Sequence, residues 1–470
     1  MIDAKGLAFE EFGSLKLGDG RRECRARRML HAVAKQPSGL VSEVFKDKAE
    51  LQGAYDFLRN DAIRSQSLLD AIDGATAARC EGEEFVYVVV DGTSLTLTDR
   101  ANRKPLGPIG ASRYTTRGLK VVDAVAVGAD GVMRGLLDVQ IWARTTASKT
   151  KRSRHRTRRL RETEMRYWSR CVDASTAALA THAPDVQPWF VMDREADEAV
   201  LLRDLSESSV RFTIRAAQNR NVLHHGRETK LFGAVRSSKI RCARTLRIGR
   251  TPKRAARTAR VELRATRVTV RLPRYVAQPR NIEMNVVEVF ERSARSDRVH
   301  WVLLTSMPVD TVADIDHVIS SYATRWRIEE FHRAWKSGGC GVEDIQLQNA
   351  EGIRKWAIML GTVATRTERL RQLSRTTPDA PATIEFTETE LAALIVAKRR
   401  IKTRVEEVPD GIPTIRTAVR WVGDLGGFSG HYKGYEPGTK VLTRGLEDLA
   451  IWTAAFIALG KPQQQKAKKR

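Results

Sequence analysis

The order of patterns along the chain predicts a multidomain α/β protein: a mixed α/β core interrupted by a β insertion, with helical regions at both ends. Three observations carry this expectation. Residues 1–80 place apolar side chains at spacings of three and four, the helical period. Short β-branched runs then alternate with helical stretches as far as Thr305. From Val312 onward the helical period returns. The 470 residues are enough for about three domains, and boundaries are expected at 1–80, 81–350 and 351–470, with 216–299 as the insertion.

Within the first region, Gly20–Lys35 and Lys48–Arg59 are predicted helices, separated by the Gln36-Pro37-Ser38-Gly39 loop. Phe85–Val90 is a continuous apolar run, the mark of a buried strand. Leu119–Val127 and Val132–Trp142 follow as strands, and Asp130-Gly131 between them signals a hairpin. A helix to about Ala180, a strand at Trp189–Met192, a helix around Ala196–Leu205 and a strand at Arg211–Arg215 come next. In the insertion, Val261–Leu272 and Ile282–Phe290 alternate, each with one slip that a bulge could absorb. His300–Thr305 is a further strand.

Charge narrows the partner. With 81 Lys+Arg against 56 Asp+Glu, the net charge is +25, and it is clustered. Arg21, Arg22, Arg25, Arg27 and Arg28 share one predicted helix. Lys149–Arg161 holds eight Lys/Arg and no acid, and Arg236–Arg280 holds fifteen and one acid, Glu262. A single charge run is usually a solvated face. Four clusters, counting the tail KPQQQKAKKR, point to a polyanion, with binding that weakens steeply as salt rises. No stretch reaches the roughly 18 apolar residues of a membrane span. No secretory signal is expected, and five scattered cysteines without a CxxC pair suit a reducing cytosol.

Three acids stand out. Asp91 and Asp193 each follow an apolar strand, where an acid is held rigidly yet can reach solvent. Taken singly, such an Asp is ordinarily a turn or N-cap residue. Glu329 lies in a predicted helix from Tyr322 to Lys336. At about 100° per residue, Tyr322, Arg325, Glu329 and Lys336 fall within an arc of roughly 60°, with Ile328, Phe331 and Trp335 opposite. One face is therefore apolar; the other carries a carboxylate flanked by a phenol and two cations, and Glu330 points elsewhere. Carboxylates suit hard divalent cations, and cations beside them suit phosphate.

Tyr322, Arg325, Glu329 and Lys336 form Tyr-x2-Arg-x3-Glu-x6-Lys, and Asp91-Gly-Thr-Ser-Leu and Asp193-Arg-Glu-Ala-Asp197 precede it in order. In these motifs the chain resembles the bacterial cut-and-paste transposases of the insertion-sequence-four and transposon-five type. Leu17-Gly-Asp-Gly-Arg-Arg and Gln52-Gly-Ala-Tyr-Asp-Phe-Leu-Arg-Asn60 extend the similarity, which weakens after about residue 370.

The resemblance implies an RNase H-like catalytic core with the β insertion between the second Asp and the Glu. It implies that Asp91, Asp193 and Glu329 bind two Mg²⁺ or Mn²⁺. Hydrolysis at the transposon end, hairpin formation, hairpin opening and strand transfer into target DNA would follow. It also implies that Tyr322, Arg325, Lys336 and Arg215 contact phosphates and that Trp301 stacks a flipped base, although a core Trp is the plainer reading of that position. The helical N-terminal domain, with Arg21, Arg22, Arg25, Arg27 and Arg28, would bind the terminal inverted repeats. The helical C-terminal domain would form a homodimer. A cytoplasmic protein associated with the bacterial nucleoid through DNA is expected. Two other readings are a stand-alone RNase H-like nuclease and a catalytically unused relative acting as a DNA-binding repressor or inhibitor. P-loop, zincin, nucleophile-elbow and dinucleotide patterns are absent from the sequence.

Overall fold

The computed structural model describes residues 6–99, 103–109, 116–144, 164–208, 210–249, 255–401, 408–409, 411–430 and 435–460. The Lys149–Arg161 run and the basic tail lie outside the described residues. Five helices open the chain: α1 (Gly6–Phe12), α2 (Gly20–Lys35), α3 (Val41–Val44), α4 (Lys48–Arg59) and α5 (Ser65–Ala78). The bounds of α2 and α4 are those the apolar period predicts. Aspartates set both starts, since Asp19 accepts from the Arg21 N–H and Asp47 from the Glu50 N–H.

The core elements are β1 (Phe85–Thr96), β2 (Gly107–Pro108), β3 (Arg117–Val127), β4 (Met133–Trp142), α6 (Met165–His182), β5 (Gln187–Met192), α7 (Ala199–Glu207) and β6 (Arg211–Arg215). β3 and β4 pair antiparallel, and Gly131 between them takes φ 76°, which the tight turn requires and glycine adopts freely. β1 lies between β3, antiparallel, and β5, parallel; β6 continues parallel beyond β5.

The insertion supplies β7 (Asn221–His224), β8 (Arg227–Lys230), α8 (Leu231–Ser237), β9 (Ile240–Ile248), β10 (Arg257–Arg271) and β11 (Asn281–Phe290), and β12 (His300–Thr305) returns the chain. β12 pairs with both β6 and β11, so the insertion prolongs the core sheet rather than standing beside it. The described strands form one twelve-stranded mixed sheet. Among the described residues, helices α9 (Val312–Thr324), α10 (Trp326–Lys336), α11 (Ala350–Thr376), α12 (Glu388–Ile401), α13 (Ile415–Leu425) and α14 (Thr439–Gly460) follow.

Apolar cores cover both faces of the sheet. Val89, Val121, Val191, Val287 and Leu303 meet residues of α1, α2, α4, α5, α9, α10 and α11. Val88, Val90, Val122, Phe190 and Ile214 meet α6, α7 and α8. Alternate side chains of a strand point to opposite faces, so two covered faces require the continuous apolar runs seen in the sequence.

Four expectations need correction. β1 does not stop at Val90: Gly92 to Thr96 keep pairing with β3, so Asp91 sits inside the strand. The apolar run ends there because the strand leaves the doubly covered region, not because pairing ends. The slip in Ile282–Phe290 is not a bulge, since β11 pairs regularly with both neighbours. Val286 and Val287 are buried on opposite faces instead. The slip in β10 has the same origin: Ala265 and Val268 are buried on opposite faces while pairing with β11 stays regular, and the register shift at Leu263/Arg264 instead skips Arg241 of β9. The Tyr322–Lys336 helix is two abutting helices, joined at Arg325. The insertion also contains a helix, α8, where only strands are expected from the sequence.

Buried charge makes one pH test. Burial lifts the Asp73 carboxyl on α5 to about 7, and Asp70 and Asp138 push the same way. A carboxyl raised in the fold favours folding only while protonated, so stability falls as pH rises from about 4 to 7. Asp73→Asn should raise the melting temperature above pH 7 and leave it unchanged near pH 4. An equal shift at both would remove this carboxyl as the cause.

Candidate active site

The site begins with strand register. Val90 on β1 pairs with Met192 on β5, which sets Asp91 and Asp193, each the next residue, at the same level of two adjacent strands. Asp91 points to the face covered by α9 and α10, as Val89 does. Its Oδ1 accepts from the Gly92 N–H at 2.9 Å, and its Oδ2 from Arg325 Nη1 at 3.1 Å. Burial lifts Asp91 to about 6; Arg325 and His332 pull down, and Asp193 pushes up. Asp193 also caps the turn Arg194–Ala196, its Oδ1 accepting from the Glu195 N–H at 2.7 Å. The N-cap reading of that residue therefore holds, with its second oxygen left over. The two acid motifs touch: a Cβ at Gly92 would stand 3.2 Å from Glu195 Oε2 and 3.3 Å from the Trp168 ring.

Helix α10 delivers the third acid. Its apolar side, with Ile328, Phe331 and Trp335, is buried in the core. The opposite stripe docks onto the strands through polar bonds. Arg325 reaches Asp91, and its Nη2 donates to Glu329 Oε1 at 2.5 Å. Lys336 Nζ donates to Thr93 Oγ1 at 2.6 Å and to the Ser94 carbonyl at 2.8 Å. Glu330 faces the other way, to Arg327, Arg371 and Gln372.

Tyr322 is buried, its ring edge-on to Trp301 with centroids 5.1 Å apart. Burial raises its hydroxyl pKa, opposed by Arg215 and Arg325. Arg215 ends β6 and donates to the His300 carbonyl at 2.9 Å, while its Nε is buried without a partner. Trp301 is half-buried on β12 and packs against the core, as a core Trp would. Asp91, Asp193, Glu329, Tyr322, Arg325, Lys336, Arg215 and Trp301 thus gather around one end of β1 and β5. Arg21, Arg22, Arg25, Arg27 and Arg28 do not join them; they lie on α2, which packs on α1, α4, α11 and α14. Arg25 is bound to Glu50 and Arg27 to the Phe12 and Gly13 carbonyls, leaving Arg21 and Arg28 the most exposed of the five.

Several neighbours escape sequence reasoning. His332 Nε2 lies 3.0 Å from both oxygens of Asp123, the register partner of Asp91. Burial lowers the imidazole pKa, but Asp123 and Asp91 together raise it and the net shift is upward. The helical wheel carries a signal, because His332 falls about 20° outside the predicted arc. Trp326 exposes its indole beside Arg325. Asp197, at the end of the second acid motif, accepts from Arg220 Nη2 at 2.7 Å and from the Ala217 and Gln218 N–H groups at 2.7 and 2.8 Å. That junction ties the Asp193 turn to the segment after Arg215.

Among the described residues, no group of three His, Cys, Asp or Glu side chains is closed enough to hold a metal. The donor chemistry nonetheless fits a hard divalent cation: three carboxylates converge, and a positive group already stands between two of them. That stand-in is the Arg325 guanidinium, touching Asp91 and Glu329.

Comparison with known families completes the site. Residues 88–365 match the transposase DDE domain, and residues 4–63 match the transposase DNA-binding domain. The chain belongs to the DDE transposase family. All the gathered residues lie inside the DDE match, and Arg21 to Arg28 lie inside the DNA-binding match. This transposase has DNA as its partner, and no described helix is long and apolar enough to cross a membrane.

The Asp197–Arg220 pair is almost fully buried, with side chains 0% and 5% exposed. Removing one member of such a pair strands the other charge. Asp197→Ala in the transposase should cost about 3–5 kcal/mol by urea unfolding. A loss below about 1 kcal/mol, the range of exposed pairs, would mean that the junction is not what holds the turn.

Proposed function

We propose that this transposase excises and inserts a DNA element by metal-dependent hydrolysis, hairpin formation and strand transfer, in the manner of the insertion-sequence-four and transposon-five enzymes. The observation that carries the reading is the convergence of Asp91, Asp193 and Glu329 from two neighbouring strands and one helix. The strand order β4-β3-β1-β5-β6, with a leading antiparallel meander and parallel strands after it, supports an RNase H-like core. The matches over residues 4–63 and 88–365 support a DNA-binding region to about residue 80 followed by a catalytic region to about 350, and the helical region beyond would dimerise.

Asp91, Asp193 and Glu329 would hold two Mg²⁺ or Mn²⁺. Bound there, such ions supply a nucleophilic water near neutral pH and charge at the leaving oxygen. The protein's own groups do the rest. Arg215, Arg325 and Lys336 form a cationic rim that holds the scissile phosphate, the task to which guanidinium forks are suited. Tyr322 adds a hydroxyl donor. The β1–β5 register sets the two aspartates, and α10 sets the glutamate, so the strand is presented to a preformed group of acids. Trp301 offers an aromatic face to a base unstacked when the freed 3′-hydroxyl attacks the opposite strand. Two copies of the chain, paired through their C-terminal helices, bring two ends together.

Cleavage of DNA carrying the element's own inverted repeat tests this directly. Asp91→Ala, Asp193→Ala or Glu329→Ala should each cut nicking by about 10³-fold or more, as expected for members of one catalytic unit, while the repeat is still bound. A variant that nicks at the wild-type rate removes that acid from the site. Trp301→Ala should nick normally and lose about 1–3 kcal/mol in hairpin formation, the worth of one stacked base. An unchanged hairpin yield would return Trp301 to the core.

A further inference from the structure

Arg325 holds Asp91 and Glu329 at once, Nη1 to one at 3.1 Å and Nη2 to the other at 2.5 Å. Its side chain is only 17% exposed, so the contact is enclosed rather than a passing surface pair. The other cations of the rim are engaged differently. Lys336 bonds a hydroxyl and a carbonyl, and Arg215 bonds a carbonyl. Arg325 is therefore the cation ion-paired to two acids of the proposed triad.

A guanidinium and a divalent cation cannot both occupy the space between those two carboxylates, because like charges at that separation repel. The guanidinium fork also binds phosphate with two parallel bonds, as it binds a carboxylate. We infer that Arg325 is a placeholder and positioning residue: it keeps Asp91 and Glu329 together in the DNA-free protein and moves onto a DNA phosphate as divalent metal takes its place. The inference rests on the metal-binding role of the acids proposed above and adds a coupling to it. DNA draws Arg325 off the acids and so tightens metal binding; by reciprocity, metal tightens DNA binding by the same factor. In the DNA-free protein the metal must displace a paired guanidinium, which keeps the site poorly loaded until a DNA strand is present.

The test measures binding rather than turnover. Mn²⁺ affinity is read from the electron paramagnetic resonance of free Mn²⁺, on full-length protein with and without a duplex carrying the inverted repeat, after subtracting Mn²⁺ bound by the duplex alone. Wild-type protein should bind Mn²⁺ at least tenfold more tightly with DNA. Arg325→Gln should bind it at least tenfold more tightly than wild type without DNA, and DNA should then add little. Arg325→Lys, which keeps a cation, should stay near wild type. Because Arg325→Gln leaves two acids unpaired, thermal melting serves as a second reading: Mn²⁺ alone should raise its melting temperature and hardly move that of wild type. Equal DNA-free affinity in wild type and Arg325→Gln would overturn the exchange. Asp91→Asn separates the two layers. If it abolishes Mn²⁺ binding while Arg325→Gln changes nothing, the acids bind metal and only the exchange fails. If it leaves Mn²⁺ binding intact, the acid triad itself is wrong and the exchange falls with it.

Discussion

Strand β1 is paired along both edges, antiparallel to β3 and parallel to β5, and the site hangs from that placement. Pairing on both sides holds Asp91 level with Asp193 on one neighbour and with Asp123 on the other. The covered faces of the sheet then decide where each side chain points: Asp91 and Asp123 to the side of α10, Gly92 to the side of α6. A one-residue slip of β1 would send Asp91 to the opposite face and leave α10 with nothing to dock against.

α10 is held by two unlike sets of contacts. Its apolar side is buried in the core, which supplies adhesion without direction. Its polar stripe supplies direction. Arg325 bonds Asp91, His332 bonds Asp123, and Lys336 bonds Thr93 and Ser94, so three points along the helix meet two adjacent strands. Glu329 lies between these points and inherits their precision. Such buried charges are costly alone and acceptable in partnership. The same rule joins the Glu330 side of α10 to α11 through Arg371, and α11 to α14 through Glu368 and Thr439. The helix bearing the proposed third acid is thereby continuous, through buried polar contacts, with the C-terminal helices.

Much of the layout was readable from periodicity. The exact bounds of α2 and α4, the β3–β4 hairpin with its glycine, and the stripe joining Tyr322, Arg325, Glu329 and Lys336 each follow from local rules. Three of the misreadings share one cause. Local pattern puts Asp91 beyond its strand, gives β10 and β11 a bulge each, and carries no sign of α8. Each turns on which faces of the sheet are covered and how far its neighbours extend, and neither quantity is local. The partnerships of His332 with Asp123 and of Asp197 with Arg220 are equally hidden. Their members lie 209 and 23 residues apart, and nothing in either residue's neighbours announces the other.

The sequence by itself determined the helical and strand periods, the basic character that selects a polyanion, and the three acids with their flanking cations. Those properties depend on side-chain chemistry and on the fixed geometry of one helix or one strand. Tertiary structure alone decided that the insertion prolongs the core sheet, that the three acids converge, and that Arg325 stands between two of them. Those outcomes depend on strand order, register and helix docking across hundreds of residues, where the energy lies in burial and in paired charges that form only once the chain has closed upon itself.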